Sequence, residues 1–199
     1  MHIELAELLC CPQLHEETFC VVSPDAMDGR TVVAGVIGCP VCHNEYTIRE
    51  GVAVFATDPS AVGATFVDHP VGIDAPTTQA LLNLSGPGGN VALVGSAALL
   101  AADLADLVGG VHFVACNAPL AVRGSSRVSV LYAPVSIPLR SSSMRGIVVG
   151  SEMSRDLWIE EAVRVLLRGT RFLCIGQPAC PDGIRQLAVG DGIVVGEKV

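Results

Sequence analysis

The stretch from Gly86 to Asn117 constrains the fold more than any other part of the chain. Residues 90–94 form a short apolar run bounded by glycines, which predicts a fully buried strand. A helical pattern follows, with Ser96 as its expected N-cap, and Gly109-Gly110 ends it before a second buried strand over residues 111–115. A strand, a helix and a strand within about thirty residues predict one βαβ unit. The sequence therefore predicts an α/β fold with a doubly wound, mostly parallel sheet.

The composition of the 199-residue chain fits such a sheet. Half of the residues are apolar while only 4% are aromatic, so the core must consist mainly of aliphatic side chains, as in parallel sheets that are covered on both faces. A net charge of −8 argues against direct binding to nucleic acid or to an anionic membrane. Charged residues make up only 16% of the chain, which favours exposed apolar surface and leads us to expect a homodimer.

Two features bear on the cellular compartment. Residues 1–7 carry two acidic side chains and no basic region, unlike a signal peptide, and the longest uncharged apolar stretch, residues 91–102, is too short to span a membrane. We therefore expect a cytoplasmic protein. In a reducing compartment, cysteines serve as metal ligands or as small buried side chains rather than as disulfide partners. The chain contains Cys10, Cys11, Cys20, Cys39, Cys42, Cys116, Cys174 and Cys180.

A tight pair of cysteines predicts a metal site in the first sixty residues. The turn Cys39-Pro40-Val41-Cys42 places two thiolates on one knuckle, the geometry that tetrahedral zinc needs. A zinc ribbon requires a second knuckle, and Cys11-Pro12-Gln13 begins one, but Leu14 stands where its second cysteine is expected. The candidates for the missing ligand are His15, Cys10 and Cys20.

His15 is the preferred fourth ligand. It lies four residues after Cys11, a workable spacing because an imidazole reaches further than a thiolate. Cys10 is adjacent to Cys11, so its side chain should point elsewhere. The expected zinc ligands are therefore Cys11, His15, Cys39 and Cys42, with His43 as a neighbour of the site. The alternative is that the metal has been lost and that these thiols are simply buried.

Three segments, Leu5–Pro12, Gly38–Cys42 and Tyr46–Phe55, resemble the small zinc-ribbon proteins that activate partner methyltransferases. That family combines a Leu-Leu-x-x-Leu-x-Cys-Pro-x-Cys start with a later Cys-Pro-x-Cys and a Tyr-Pro-Ile-x-x-Gly-Ile-Pro tail, and Leu14 is the clear departure from it here. In that family the ribbon is a docking module rather than a catalyst. The resemblance implies a small zinc-ribbon-like β domain over residues 1–56 and a protein partner.

The rest of the chain is predicted to form a second domain. A linker over residues 57–76, rich in Ala, Pro, Gly and Asp, precedes a domain over residues 77–199. Helices are expected over residues 79–84, capped by Asp74 or Thr77, and from Ser154 to Gly169. In the first 56 residues, predicted strands cover residues 19–22 and 31–37, with turn signals at Pro24-Asp25 and Asp28-Gly29 between them. In the second domain they cover residues 127–133, 146–150 and 171–175, and a terminal hairpin follows over residues 184–195.

This order of elements resembles the class I S-adenosylmethionine-dependent methyltransferases across roughly residues 74–199. The segment Glu161–Phe172 is similar to the family's Glu-Ala-x-Arg-Val-Leu-x-Pro-Gly-Gly-x-Leu. The pair of segments Ile137–Leu139 and Met144–Val149 is similar to its Leu-Pro-Phe and Phe-Asp-x-Val-Val. The resemblance implies a Rossmann-like, methyltransferase-like domain.

The positions at which that family binds its cofactor are altered in this chain. The loop after the first strand, Gly95-Ser96-Ala97-Ala98, has one glycine where the family has two or three. Asn117 stands where an acidic residue should accept the ribose hydroxyls, and Arg145 replaces the acid that normally opens the fourth strand. The resemblance thus implies a vestigial cofactor site at Gly95, Ser96 and Asn117, and S-adenosylmethionine is not expected to bind.

Because three positions have lost the cofactor chemistry together, a non-catalytic or cofactor-poor methyltransferase-like protein is the leading interpretation. It would act as a binding or scaffold subunit, and we assign no catalytic residue. One alternative is an active but divergent S-adenosylmethionine-dependent methyltransferase that uses backbone contacts around Gly95 and Asn117. A further alternative is a thiol- or metal-handling protein that uses the extra cysteines.

Overall fold

Eleven strands join into a single sheet in the computed structural model, which describes residues 1–56, 71–176 and 179–199. The strands are β1 (Val21–Asp28), β2 (Thr31–Gly38), β3 (Glu45–Arg49), β4 (Val52–Val54), β5 (Asn90–Val94), β6 (His112–Cys116), β7 (Val128–Tyr132), β8 (Met144–Val149), β9 (Leu166–Ile175), β10 (Ile184–Gly190) and β11 (Ile193–Lys198). The helices are α1 (Ala75–Leu81), α2 (Ala101–Leu107) and α3 (Asp156–Val165), and 3-10 segments cover Ile3–Leu8, Gly95–Leu100 and Ser151–Met153. None of these described helices combines the length and the hydropathy that crossing a membrane requires.

The central strands confirm the predicted α/β fold. β5, α2 and β6 form the expected βαβ unit, since β5 and β6 pair in parallel with Asn90 opposite His112. From β7 onward the spatial order is β7-β6-β5-β8-β9-β11-β10, with parallel pairing as far as β9 and an antiparallel β11 beside it. The chain therefore builds outward from β5 on one side and then returns to β8 on the other. This is the doubly wound pattern of a Rossmann-like, methyltransferase-like sheet.

The first four strands continue this sheet. β1, β2, β3 and β4 pair antiparallel in sequence, and β4 then pairs in parallel with β7, so that Ala53 lies opposite Leu131. Ile48 and Phe55 from the N-terminal part belong to the same buried core as Val114 and Leu131 from the central strands. The division into residues 1–56, 57–76 and 77–199 stays a prediction, and residues 57–70 of the predicted linker lie outside the described part of the chain.

The sheet is covered on both faces, which explains the continuous apolar runs of β5, β6 and β8. One core lies against α3 and includes Trp158 and Ala162, while the other lies against α2 and includes Leu104. Strands that are buried on two sides have no position for a polar side chain without a partner. The terminal hairpin is confirmed, since β10 and β11 pair antiparallel and β10 forms the outer edge of the sheet.

Three local predictions about helix boundaries have different outcomes. Asp74 caps α1 as expected, accepting a hydrogen bond from the Thr77 N–H at 2.9 Å, although α1 begins earlier than predicted. Ser96 is not an N-cap, because the chain first forms a 3-10 turn and α2 begins only at Ala101. The last predicted helix does not reach Gly169.

The early end of α3 has a tertiary cause. Leu166 is fully buried and pairs with Met144 of β8, so the chain becomes extended directly after Val165. The pairing then jumps to Arg171 opposite Gly146, and residues 167–170 bulge out of the ladder around Gly169, whose φ of +73° suits glycine. The glycine that we interpreted as a helix stop therefore serves a bulge inside β9.

The predicted turn at Pro24-Asp25 is wrong. β1 runs through both residues to Asp28, with register shifts on either side of Ala26 where it pairs with β2. Proline lacks an N–H group, but β1 is the outermost strand of the sheet, and an edge strand tolerates that loss. The other predicted turn signal, Asp28-Gly29, is confirmed, because the chain turns after Asp28 and Gly29 has a φ of +55°.

Candidate functional site

The carboxyl ends of β5 and β8 define the first candidate site. In doubly wound sheets, ligands bind in the crevice where the strand order reverses, outside the carboxyl ends of the strands. Here β5 leads into Gly95-Ser96 and β8 leads into Gly150, so these two loops face each other at that point. Gly95 and Ser96 were the residues predicted to approach a cofactor.

Glu152 occupies this crevice with its own carboxylate. One of its oxygens accepts a hydrogen bond from the Ser96 N–H, and the other accepts one from the Ser96 hydroxyl at 2.7 Å. Ser96 is only 1% exposed. The backbone and side-chain donors that could bind an anionic group of a ligand are thus already paired with a group of the protein. Sequence reasoning missed Glu152.

The chain packs closely against itself at the two glycines beside Glu152. A Cβ atom on Gly95 would overlap a carboxylate oxygen of Glu152 and would lie 2.6 Å from Cγ of Met153, a buried residue. A Cβ atom on Gly150 would lie 2.5 Å from the Ser96 hydroxyl oxygen. These two glycines therefore permit close packing of the chain upon itself.

Asn117 is also turned inward. It follows β6, is 3% exposed, and adopts a left-handed conformation with φ of +51°. Its side-chain oxygen accepts a hydrogen bond from the Ala133 N–H at 2.9 Å, and its own N–H donates to the carbonyl of Leu131. The amide oxygen thereby joins the ends of β6 and β7. All three residues predicted for the cofactor site are buried, and the amide oxygen of Asn117 is paired.

Arg145 lies at the opposite end of β8 from this crevice. Its guanidinium donates hydrogen bonds to the carbonyl oxygens of Gly86 and Pro87 at 3.2 and 3.3 Å, and also to that of Gly88. A Cβ atom on Gly89 would meet the Arg145 side chain at 2.8 Å. Arg145 thus fastens the loop that leads into β5, which gives it a structural role in place of the acid that the family resemblance implied.

The second candidate site is the predicted metal site, and the structure brings all four predicted ligands together. One ligand atom from each of Cys11, His15, Cys39 and Cys42 lies within 4.8 Å of all the others. The sulfur atoms of Cys11 and Cys42 are 3.6 Å apart, and the Cys39 sulfur is 3.5 Å from Nε2 of His15. With metal–ligand bonds of about 2.3 Å to sulfur and 2.1 Å to nitrogen, tetrahedral geometry implies separations of about 3.8 and 3.6 Å. The residues fit zinc.

The knuckle at Cys39 is shaped by local backbone bonds. The carbonyl of Cys39 accepts a hydrogen bond from the His43 N–H, and the Cys39 N–H donates to the carbonyl of Asn44, both at 3.0 Å. Burial raises the pKa of the Cys39 thiol, but the N–H groups of Cys42 and Val41 outweigh it and lower that pKa to about 7. His43 lies outside the four-residue group, as expected.

Four of the five remaining thiols are buried and unreactive, while Cys180 is half-buried. Cys10 and Cys20 are buried and lie outside the four-residue group, and burial raises their pKa values to about 11 and 12. Burial likewise raises the pKa of Cys116 and of Cys174 to about 12. A nucleophilic cysteine needs a low pKa and solvent access. These four positions offer neither, so they give no support to thiol chemistry.

Tyr46 is a second residue that sequence reasoning missed at the metal site. Its hydroxyl is 3.4 Å from the Cys11 sulfur and accepts a hydrogen bond from the side-chain amide of Gln13 at 3.3 Å. Tyr46 is 1% exposed, and its ring packs against Phe55 with ring centroids 5.0 Å apart. The residue therefore links the metal ligands to the hydrophobic core.

No protein-family model matches the chain, and no curated protein sequence matches it. Among solved structures, a protein described as a methyltransferase from an antibiotic biosynthesis pathway of Anabaena variabilis shares 17% sequence identity, with a TM-score of 0.43. That likeness covers 53% of this chain and 46% of the other. A complex between the Trm112 methyltransferase activator of Haloferax volcanii and a protein described as a methyltransferase gives 18% identity and a TM-score of 0.41, covering 50% of each chain.

A third solved structure is matched over its whole length. The S-adenosylmethionine-dependent methyltransferase from Aquifex aeolicus shares 18% identity with this chain, with a TM-score of 0.48. The likeness covers 72% of this chain and 100% of that protein. By contrast, the chain spans about half the length of the first two proteins.

Proposed function

We propose that this protein is a non-catalytic, methyltransferase-like binding subunit. The observation that carries the proposal is the pairing of Glu152 with both the N–H and the hydroxyl of Ser96 in the crevice between β5 and β8. A bound cofactor would need those donors and that space. Without a bound cofactor, the domain would serve as a rigid platform for binding rather than as a catalyst.

The cost of displacing Glu152 can be compared with the affinity of a cofactor. Hydrogen bonds to a charged group contribute about 1.5–3 kcal/mol each, so breaking both bonds to Ser96 costs several kcal/mol unless water replaces them. A net loss of about 3 kcal/mol weakens binding more than a hundredfold and would move a micromolar site towards the millimolar range. The inward-turned Asn117 adds to this loss, because its oxygen already bonds to the Ala133 N–H.

The metal site supports a structural role for the N-terminal part. Cys11, His15, Cys39 and Cys42 would supply four ligands to zinc, which leaves no open coordination position for a substrate or a water molecule. Zinc bound there would tie the two knuckles together and so hold a defined surface. Leu14 on one knuckle and Val41 on the other are exposed, which supports a protein contact at this end of the molecule. The partner is another protein or a second copy of this chain.

Calorimetric titration with S-adenosylhomocysteine tests the proposal. The protein as it stands should show no binding with a Kd below about 10 µM, whereas a tighter value would favour the active, divergent methyltransferase instead. The Glu152→Ala variant should bind more tightly than the unchanged protein, because the donors of Ser96 become free. Glu160→Ala, at an exposed position of α3, is the matched control and should behave like the unchanged protein.

A further inference from the structure

A cavity of about 460 Å³ lies at the end of the sheet opposite the crevice. It is bordered by the first residues of two parallel strands, Asn90 of β5 and His112 of β6, and by the 3-10 segment Ile3–Leu8. Its lining includes two histidines and two acidic residues: His2, His112, Glu4 and Glu7. None of these residues belongs to the crevice or to the group around Cys39.

The two imidazoles are spaced as they would be around one ion. The ring centroids of His2 and His112 are 5.3 Å apart, and the ring planes are inclined by 46°. When two imidazoles bind one tetrahedral ion with metal–nitrogen distances of about 2.1 Å, their ring centroids are about 5 Å apart. The ring spacing is thus that of two imidazoles on one ion, although the donor atoms of this cavity are less closely gathered than those around Cys39, so that a bound ion would have to draw them together.

Ser129 contacts both histidines through its hydroxyl group. It is fully buried in β7, and its hydroxyl oxygen is 2.9 Å from Nε2 of His112 and accepts a hydrogen bond from the backbone N–H of His2 at 2.9 Å. A histidine that binds a metal through one ring nitrogen is usually oriented by a hydrogen bond at the other. His112 has that arrangement, with Nδ1 as the nitrogen left for a metal.

The carboxylates complete the donor set. Glu4 and Glu7 are three residues apart in a 3-10 segment, which has three residues per turn, so both project from the same side. Arg30 binds one oxygen of Glu4, and the other oxygen is 3.9 Å from Nδ1 of His2. Two such ligand atoms on one tetrahedral ion are about 3.4 Å apart, so a shift of about half an ångström brings them to bonding positions.

We infer that this cavity is a binding site for a divalent transition-metal cation, held by His2, His112 and a carboxylate of Glu4 or Glu7. Nitrogen and oxygen donors of this kind suit zinc, cobalt or nickel, whereas the thiolate-rich group around Cys39 suits zinc. The inference stands apart from the proposed function, because it involves neither the crevice nor the cysteine ligands.

Titration with Co²⁺ tests the inference. The full chain is first loaded with one equivalent of Zn²⁺, which the cysteine site takes, and Co²⁺ is then added while the visible spectrum and the heat of binding are recorded. We expect one further equivalent to bind, with the weak d–d absorption of nitrogen and oxygen ligands. Failure to bind a further equivalent would overturn the inference. Intense sulfur-to-cobalt charge transfer would also overturn it, because the added ion would then be in the cysteine site.

Substitutions identify the ligands. His112→Gln keeps a polar group that can reach Ser129 but removes the free ring nitrogen, and His2→Gln removes the other imidazole. Each should weaken Co²⁺ binding at least tenfold, since even the loss of an outer partner of a ligand costs about 10–100-fold in affinity. His43→Asn removes an exposed imidazole elsewhere and should leave Co²⁺ binding unchanged. Unaltered binding in folded His2→Gln protein would refute the assignment even if His112→Gln fails to fold.

Discussion

Replacing Glu152 by alanine is the most informative perturbation of the crevice. The change removes a carboxylate that accepts two hydrogen bonds from Ser96, one from its N–H and one from its hydroxyl. Ser96 is buried, so both donors would lose their partner together. A buried donor without a partner costs more than the bond itself contributes, because its desolvation is no longer offset.

The expected magnitude follows from these two contacts. Two hydrogen bonds to a carboxylate contribute about 3–6 kcal/mol together, and water entering the opened crevice replaces part of that. We expect a loss of about 2–4 kcal/mol in the free energy of unfolding, which for a chain of this length lowers Tm by about 4–16 °C. Glu152→Gln retains one acceptor for the Ser96 N–H, so its loss should be roughly half as large.

Differential scanning calorimetry of three variants and the unchanged protein tests this expectation. Glu152→Ala and Glu152→Gln are compared with Glu160→Ala, whose side chain is exposed and whose Tm should stay within about 1 °C of the unchanged protein. Added acetate should raise the Tm of Glu152→Ala more than that of the other two, because it can reoccupy the donors of Ser96. If Glu152→Ala melts with Glu160→Ala, the carboxylate does not close the crevice and the argument from Glu152 fails.

Three further outcomes are expected. Metal analysis should find about one zinc per chain, and His15→Ala should weaken zinc binding more than Cys10→Ala does, because Cys10 lies outside the four-ligand group. Arg145→Ala should lower the free energy of unfolding by about 1–2 kcal/mol and speed amide exchange in the loop at Gly88, whose carbonyl Arg145 binds. Sedimentation should reveal a homodimer, and a mass near 20.6 kDa at tens of micromolar protein would count against it.

The sequence predicts the centre of the fold because the signals there are local. The glycine-bounded apolar runs of β5 and β6 lie within one βαβ unit, and their burial on both faces follows from their composition. The end of α3 could not be predicted in the same way. It depends on Leu166 pairing with Met144, a contact between distant parts of the chain, and this contact prevails over the helix-stop signal of Gly169.

The two candidate sites also differ in whether local sequence signals or contacts between distant residues define them. The residues of the candidate metal site lie at short spacings within two knuckles, so the sequence could predict that Cys11, His15, Cys39 and Cys42 come together. Glu152 contacts a residue 56 positions away and belongs to no motif that we identified. The available signal was an acidic residue two positions after Gly150, the glycine that follows β8 at the point where the strand order reverses.

The shared sheet makes the metal site and the crevice parts of one cooperative unit. Tyr46, which contacts the Cys11 sulfur, and Met153, which lies beside Gly95, belong to the same buried core, and β4 pairs directly with β7. Removal of the metal by a chelator should therefore raise amide exchange in β7 together with that in β4, because losing β4 exposes an edge of the central sheet. If β4 exchanges freely while β7 stays protected, the N-terminal part unfolds alone and the two sites are independent.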